Sequence, residues 1–124
     1  MIIAEVVKLA SENVKEFEIY LGDFLDEFYA TNKAKKKNMV KDEPEHLDSI
    51  SQQTYAFLAG AVEKLCNDSG LKPPSWVFKD KYFLKDPMFA IDAKGMLRVY
   101  LLVESPNEFV VRNIFVTENC LRRV

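Results

Sequence analysis

Between residues 11 and 28 the apolar positions Val14, Phe17, Leu21, Phe24, Leu25 and Phe28 recur mostly at steps of three and four. Those steps draw a single stripe along a helix. Glu12, Lys15, Glu16, Glu18, Asp23, Asp26 and Glu27 fill the opposite, solvated side. Gly22 interrupts good helix formers at a cost of about 1 kcal/mol relative to alanine, which points to a close approach by another element. The segment Met1–Ala10 reads either as a short preceding helix or as an extension of this one.

The same period returns in Leu47, Ile50, Thr54, Phe57, Leu58, Ala61, Val62 and Leu65. Asp48 or Ser49 suits the N-cap of that second helix. Gly70 stands where a left-handed C-terminal cap belongs, with Leu71 placed to fold back in a Schellman-type contact, and Pro73-Pro74 stops the helix. The stretch between the two helices, TNKAKKKNMVKDEPEH, has no apolar period and reads as an exposed charged connection over about residues 31–46.

Downstream the pattern changes. WVFKDKYFLKDPMFAID holds Trp76, Phe78, Tyr82, Phe83 and Phe89 without a sustained period, the mark of an irregular arm pinned by its rings. MLRVYLLVE is apolar nearly all round, which suits a central buried helix; after DAKG it also suits the second strand of a hairpin. Near the end, Ser105 and Glu108 form a capping box, with Pro106 at the first helical position of PNEFVVRN. Thr117 opens a further short helix, whose arginines at the far end complement its dipole. The pattern predicts a mainly α fold: two long amphipathic helices packed on a central apolar helix, with short capped C-terminal helices, in a single domain spanning residues 1–124. The alternative is α+β with one hairpin near 88–103.

Composition changes this picture little. The 124 residues are 48% hydrophobic and 29% charged with net charge −2, ordinary for a globular protein and without a general pull toward nucleic acid. No apolar run is long enough to span a bilayer. The first residues carry acids and lack a basic region followed by a cleavage site, so no signal peptide is expected and a cytoplasmic setting is. Cys66 and Cys120 read as free thiols.

Charge is unevenly spread. Residues 1–32 sum to −5 (two lysines, seven acids), 33–41 to +5 (five lysines), 42–48 to −4 (four acids) and the rest to +2 (ten bases, eight acids). All four arginines, Arg98, Arg112, Arg122 and Arg123, follow all thirteen lysines. Arginine suits planar pairing with carboxylates or phosphate. These four either pair internally, with acids of the first helix or C-terminal carbonyls, or form a surface for an acidic partner or phosphate.

Candidate chemistry is sparse. His46 is the only histidine, so any Ser-His-Asp or Cys-His arrangement has to use it, and it sits in the polar connection. Cys66, Cys120 and His46 lie far apart in sequence, which argues against zinc. No metal and no cofactor are expected. The lysine run Lys33–Lys41 lacks interleaved aromatics and is followed at once by acids, the pattern of a solvated loop and not of a nucleic-acid site.

One resemblance bears on function. The order Pro74-Ser75-Trp76, Tyr82-Phe83-Leu84 and Pro87-Met88-Phe89, then LRVYLLVESPNEFVVRNIFVTENCLRRV with Arg112-Asn113-Ile114-Phe115-Val116 at its centre, resembles a family of small bacterial proteins over about residues 71–124. Members of that family are in some cases fused to an N-terminal helix-turn-helix domain or encoded beside nucleotidyltransferase-like proteins, in toxin–antitoxin-like arrangements. No helix-turn-helix segment precedes residue 45 here, so DNA binding does not carry over. The resemblance implies an interaction or regulatory protein, antitoxin-like or an accessory partner of an enzyme encoded nearby, such as a nucleotidyltransferase-like protein. Its interaction candidates are Trp76, Tyr82, Phe83, Phe89, Arg112, Asn113, Arg122 and Arg123, since aromatics and arginine are favoured at interfaces. The alternative is a small anionic-ligand-binding protein or enzyme, with a pocket between the aromatic arm and the C-terminal arginines.

Overall fold

Residues 1–89, 105–117 and 120–121 are described by the computed structural model. The fold is mainly α, as the periodicity predicts: among the described residues four helices, α1 (Ile3–Glu12), α2 (Phe17–Tyr29), α3 (Lys33–Val40) and α4 (Gln52–Asp68), precede a short helix α5 (Asn107–Val110). Two-residue strands β1 (Met88–Phe89) and β2 (Ile114–Phe115) pair in parallel, Met88 opposite Ile114 and Phe89 opposite Phe115.

The first stripe divides into two helices. Ile3, Val6, Val7 and Ala10 give α1 its own buried face at i, i+3, i+4 and i+7. The chain leaves helical geometry at Asn13 (φ −149°, ψ 85°), a residue type whose side chain competes with the helical backbone. A 3₁₀ turn, Val14–Glu16, then feeds α2. Val14 is consequently 54% exposed, and the packed stripe starts at the half-buried Phe17. Phe24 and Phe28 are fully buried and stacked with centroids 5.9 Å apart. Removing each such ring from water contributes about 1.5–3 kcal/mol.

The charged connection is not wholly irregular. Asn32 caps α3 by accepting from the Lys35 amide at 2.9 Å, and alanine and lysine are good helix formers. Met39 and Val40 at its end are buried. Two apolar residues in a single turn cannot display a period, so the pattern reads as a loop.

Helix α4 starts at Ser51, whose hydroxyl accepts from the Thr54 amide at 3.1 Å, two or three residues later than Asp48 or Ser49 would place it. It ends as the sequence predicts. Gly70 adopts φ +70°, Leu71 N–H reaches the Cys66 carbonyl at 2.8 Å and Gly70 N–H reaches Asn67 at 3.3 Å, the paired bonds of a Schellman cap. The helix lies at the centre of the core, with Tyr55, Ala56, Leu58, Ala59, Gly60, Ala61, Val62, Leu65 and Cys66 buried.

The aromatic arm folds as two 3₁₀ turns, Ser75–Phe78 and Asp80–Tyr82, both packed on α4. At the other end the capping box does not form. Pro106 is the N-cap of α5, and Ser105 is drawn away into a two-way exchange with Val116, accepting from its amide (3.0 Å) and donating to its carbonyl (2.9 Å). Glu108 accepts instead from the Asn67 side chain. The helix predicted for PNEFVVRN stops at Val110, and the following turn closes with Asn113 at φ +66°, a left-handed position that asparagine tolerates. The central apolar helix, the greater part of the alternative hairpin, and most of the helix predicted after Thr117 lie outside the described residues.

Candidate functional site

Arg112 is the most constrained side chain of the predicted set. The turn after α5 carries it inward, and it is fully buried. Its Nη1 donates to Glu63 Oε1 at 2.5 Å and to the Glu108 carbonyl at 2.8 Å, and Nη2 donates to the Val77 carbonyl at 2.6 Å. The guanidinium lies over the Phe83 ring, 4.7 Å from its centroid. Among the described residues its Nε finds no acceptor. One side chain thereby ties α4, α5 and the aromatic arm together. The internal alternative of the sequence reading holds for Arg112, but its partner is Glu63 in α4, not an acid of the first helix.

The approach of α5 depends on Gly60. A Cβ there would lie 2.8 Å from Phe109 Cδ1 and 3.5 Å from Arg112 Cδ. Phe109 is buried and stacked on Phe57, so α5 seats only on a position without a side chain.

The other candidates divide between core and surface. Trp76 is buried and donates from Nε1 to the Val40 carbonyl at 2.9 Å, holding the end of α3. Tyr82 is fully buried against Trp76. Phe83 and Phe89 are half-buried, Phe89 stacking on Phe115 at 5.0 Å. Asn113 donates from its side chain to the Lys85 carbonyl at 3.1 Å. Arg122 and Arg123 lie outside the described residues.

A polar cluster that the sequence does not advertise forms where the segment after α3 meets the arm. Tyr82 OH donates to Glu43 Oε2 at 2.8 Å, and Glu43 also accepts from Lys79 (2.5 Å) and Lys81 (2.9 Å). His46 Nε2 lies 3.0 Å from Tyr82 OH. Because that hydroxyl gives its proton to Glu43, Nε2 is the donor of this contact. The His46 ring stacks on Tyr55, with centroids 4.1 Å apart. Tyr55 OH in turn donates to the Glu45 carbonyl and accepts from the Leu47 amide, both at 2.8 Å.

Electrostatics hold each proton of this cluster in place. Burial pushes the Glu43 carboxyl up, but hydrogen bonds from Lys79, Lys81 and Tyr82 outweigh it and hold the group at about 2. Burial, then the hydrogen bond to Glu43 and its charge, push the Tyr82 phenol above its ordinary range. Burial, then Lys81, depress His46, which stays neutral. A carboxylate this acidic accepts no proton at neutral pH, and a phenol this weak releases none. The arrangement is a satisfied polar tie across the fold.

The thiols are equally quiet. Burial pushes both Cys66 and Cys120 up to about 11, leaving little thiolate at neutral pH. Among the described residues no group of three or more His, Cys, Asp or Glu side chains could hold a metal ion.

A groove of about 700 Å³ lies between α2 and α4. Phe17, Leu21, Leu25, Phe57, Met88 and Phe89 supply its apolar walls, and Glu18, Ser51, Gln53 and Thr54 its polar rim. Of the described members of the predicted set, Phe89 borders it. Met88 and Cys120 close one end, and most of the remaining lining comes from α2 and the start of α4, whose periodicity says which side chains share a face and not where two faces part.

No described helix is long and apolar enough to cross a membrane. Comparison with protein-family models, with curated proteins and with solved structures finds no match. The functional reading therefore rests on these residues.

Proposed function

We propose that the chain is a cytoplasmic interaction or regulatory protein, antitoxin-like or accessory to an enzyme encoded nearby, and that the groove between α2 and α4 receives an amphipathic helix of that partner. The observation that carries this reading is the groove's apolar lining. On α2 it runs from Phe17 through Leu21 to Leu25, about 12 Å at 1.5 Å per residue. Two turns of apolar side chains facing an aromatic wall match the i, i+3/i+4, i+7 anchors of a helix laid into a groove. The polar rim suits the edge of an interface that forms and dissociates.

The groups with reactive potential favour the same reading. Glu43, His46, Tyr82 and Arg112 are each engaged in internal hydrogen bonds. An anionic ligand held by the C-terminal arginines draws less support, since Arg112 is committed to Glu63 and two backbone carbonyls.

The test is affinity purification of the tagged protein expressed from its own locus, in parallel with Phe17→Lys. Phe17 is half-buried at the lip of the groove, so the variant should keep the helical circular dichroism of the parent. A stoichiometric protein that accompanies the parent and is lost with Phe17→Lys supports the proposal, and a nucleotidyltransferase-like identity would support its finer part. A parent that purifies alone, or a partner retained by the variant, overturns it.

A further inference from the structure

Helix α3 sorts the lysine run into two groups. Lys35 turns toward α2 and pairs with Glu27 at 3.3 Å, and Lys36 lies over the Phe28 ring, 5.2 Å from its centroid. Lys37 and Lys41, one turn apart, point the other way. With Lys72 they border a separate cavity of about 340 Å³ whose walls are Val40, Cys66, Leu71, Pro73 and Pro74.

This cavity is formed by fixed parts. The Schellman cap at Gly70 folds Leu71 back over the end of α4, Pro73-Pro74 makes a rigid wall, and the Trp76 bond to the Val40 carbonyl fixes the far side. Its interior is apolar: Val40 is buried, and the fully buried Cys66 thiol is held in its neutral form. Its rim is cationic. Among the described residues, Lys37, Lys41 and Lys72 have no carboxylate within salt-bridge distance, whereas Lys64 nearby on α4 is paired with Asp68 at 2.9 Å.

We infer that this cavity binds a small amphipathic anion, its apolar body seated on Leu71 and Pro73-Pro74 above the buried Val40 and Cys66, and its carboxylate or phosphate head held by Lys37, Lys41 and Lys72. An apolar pocket with a few convergent polar groups is the ordinary form of a small-molecule site, and a volume of about 340 Å³ admits one compact apolar body. Three rim lysines without a carboxylate partner among the described residues select a negative head and disfavour a neutral one. Lysine acts here as a point charge, which accepts either a carboxylate or a phosphate ester without the planar geometry that arginine imposes. The inference is independent of the partner groove between α2 and α4.

The test is titration of the full ¹⁵N-labelled chain with sodium octanoate, octyl phosphate and 1-octanol, followed by amide chemical shifts. Saturable shifts confined to residues 37–41, 65–66 and 71–75 are expected with at least one of the two anions, with Kd of about 0.1–1 mM for ligands of this size. The better anion identifies the head group. The neutral alcohol should bind at least about tenfold more weakly, and raising the salt from about 50 to 500 mM should weaken the anion. Lys41→Glu combined with Lys72→Glu changes two exposed side chains and should weaken the anion about tenfold or more. Absence of saturable shifts with both anions, shifts centred elsewhere, equal binding of octanol, or unchanged affinity in the double variant each overturns the inference.

Discussion

Removing Glu63 should destabilise the fold more than its partly exposed position suggests, because among the described residues it is the only carboxylate that Arg112 meets. Arg112 is fully buried, and Glu63 Oε1 accepts from its Nη1 at 2.5 Å. In Glu63→Ala the guanidinium keeps the Val77 and Glu108 carbonyls but loses its counter-charge. An uncompensated buried charge costs about 3–5 kcal/mol. The lower part of that range applies, since Glu63 is 17% exposed and its removal admits water. In Arg112→Met the charge is gone, the stem still packs near Gly60 and Phe109, and the main loss is the donor to the Val77 carbonyl, about 1–3 kcal/mol. Once Arg112 is methionine, Glu63 has no cation to balance, so Glu63→Ala should then cost less than about 1 kcal/mol. The double-mutant cycle should thus show a coupling of about 2–3 kcal/mol. Urea unfolding of all four proteins at constant m measures it. Costs that add to within about 0.5 kcal/mol would refute the reading of Arg112 as a cation neutralised by Glu63.

Three further outcomes follow from the packing and the polar tie. Phe24→Ala, at a fully buried and stacked ring, should cost about 3–5 kcal/mol in the same assay; a loss below about 1 kcal/mol would mean that its stripe does not face the core. Gly60→Ala should destabilise by up to about 2 kcal/mol although alanine is the better helix former, because overpacking against Phe109 (2.8 Å) costs about 1–3 kcal/mol and the propensity gain is about 1; a more stable variant would show that α5 yields. Glu43 is held at about 2 against an ordinary 4.5, so the unfolded chain takes up its proton first as pH falls. Its stabilising contribution should be complete above pH ~5 and disappear toward pH 2. Lys79 and Lys81 are about half exposed, so solvent screening limits that contribution to about 1–2 kcal/mol. The stability gap between the parent and Glu43→Gln, followed from pH 6 to pH 2, should close over that window; a constant gap would refute it.

How much of this was legible follows from what each signal encodes. The stripes of α2 and α4 and the Gly70 cap are local: they repeat within one element, and the structure keeps them. Helix α3 was hidden because one turn of apolar residues has no period. The capping box at Ser105 and Glu108 failed for a non-local reason. Ser105 has a better-satisfied alternative in both backbone groups of Val116, and Glu108 in Asn67, partners that no local spacing can announce. The same holds for the polar tie. Glu43, His46 and Tyr82 are 3 to 39 residues apart, and nothing in the lysine-rich segment marks Glu43 as the carboxylate to which an aromatic arm will attach.

The placement of positive charge ties these observations together. Arginine and lysine are segregated along the sequence, and at the described positions they do different work in the fold. Arg112 is inside, where a planar donor can satisfy a carboxylate and two carbonyls while stacking on Phe83. The lysines stay at the surface, and helix α3 divides them by face: Lys35 and Lys36 against α2, Lys37 and Lys41 toward the cavity they share with Lys72. A run of lysines that reads as a uniform solvated loop becomes, once coiled at 3.6 residues per turn, two surfaces of different function. That division makes a discriminating contrast. Lys35→Glu should alter the contact with Glu27 and leave anion binding near its parent value, whereas Lys41→Glu should weaken the anion and leave the α2 contact intact. Equal effects of the two substitutions on octanoate or octyl phosphate affinity would mean that net charge alone governs binding and that the cavity is not the site.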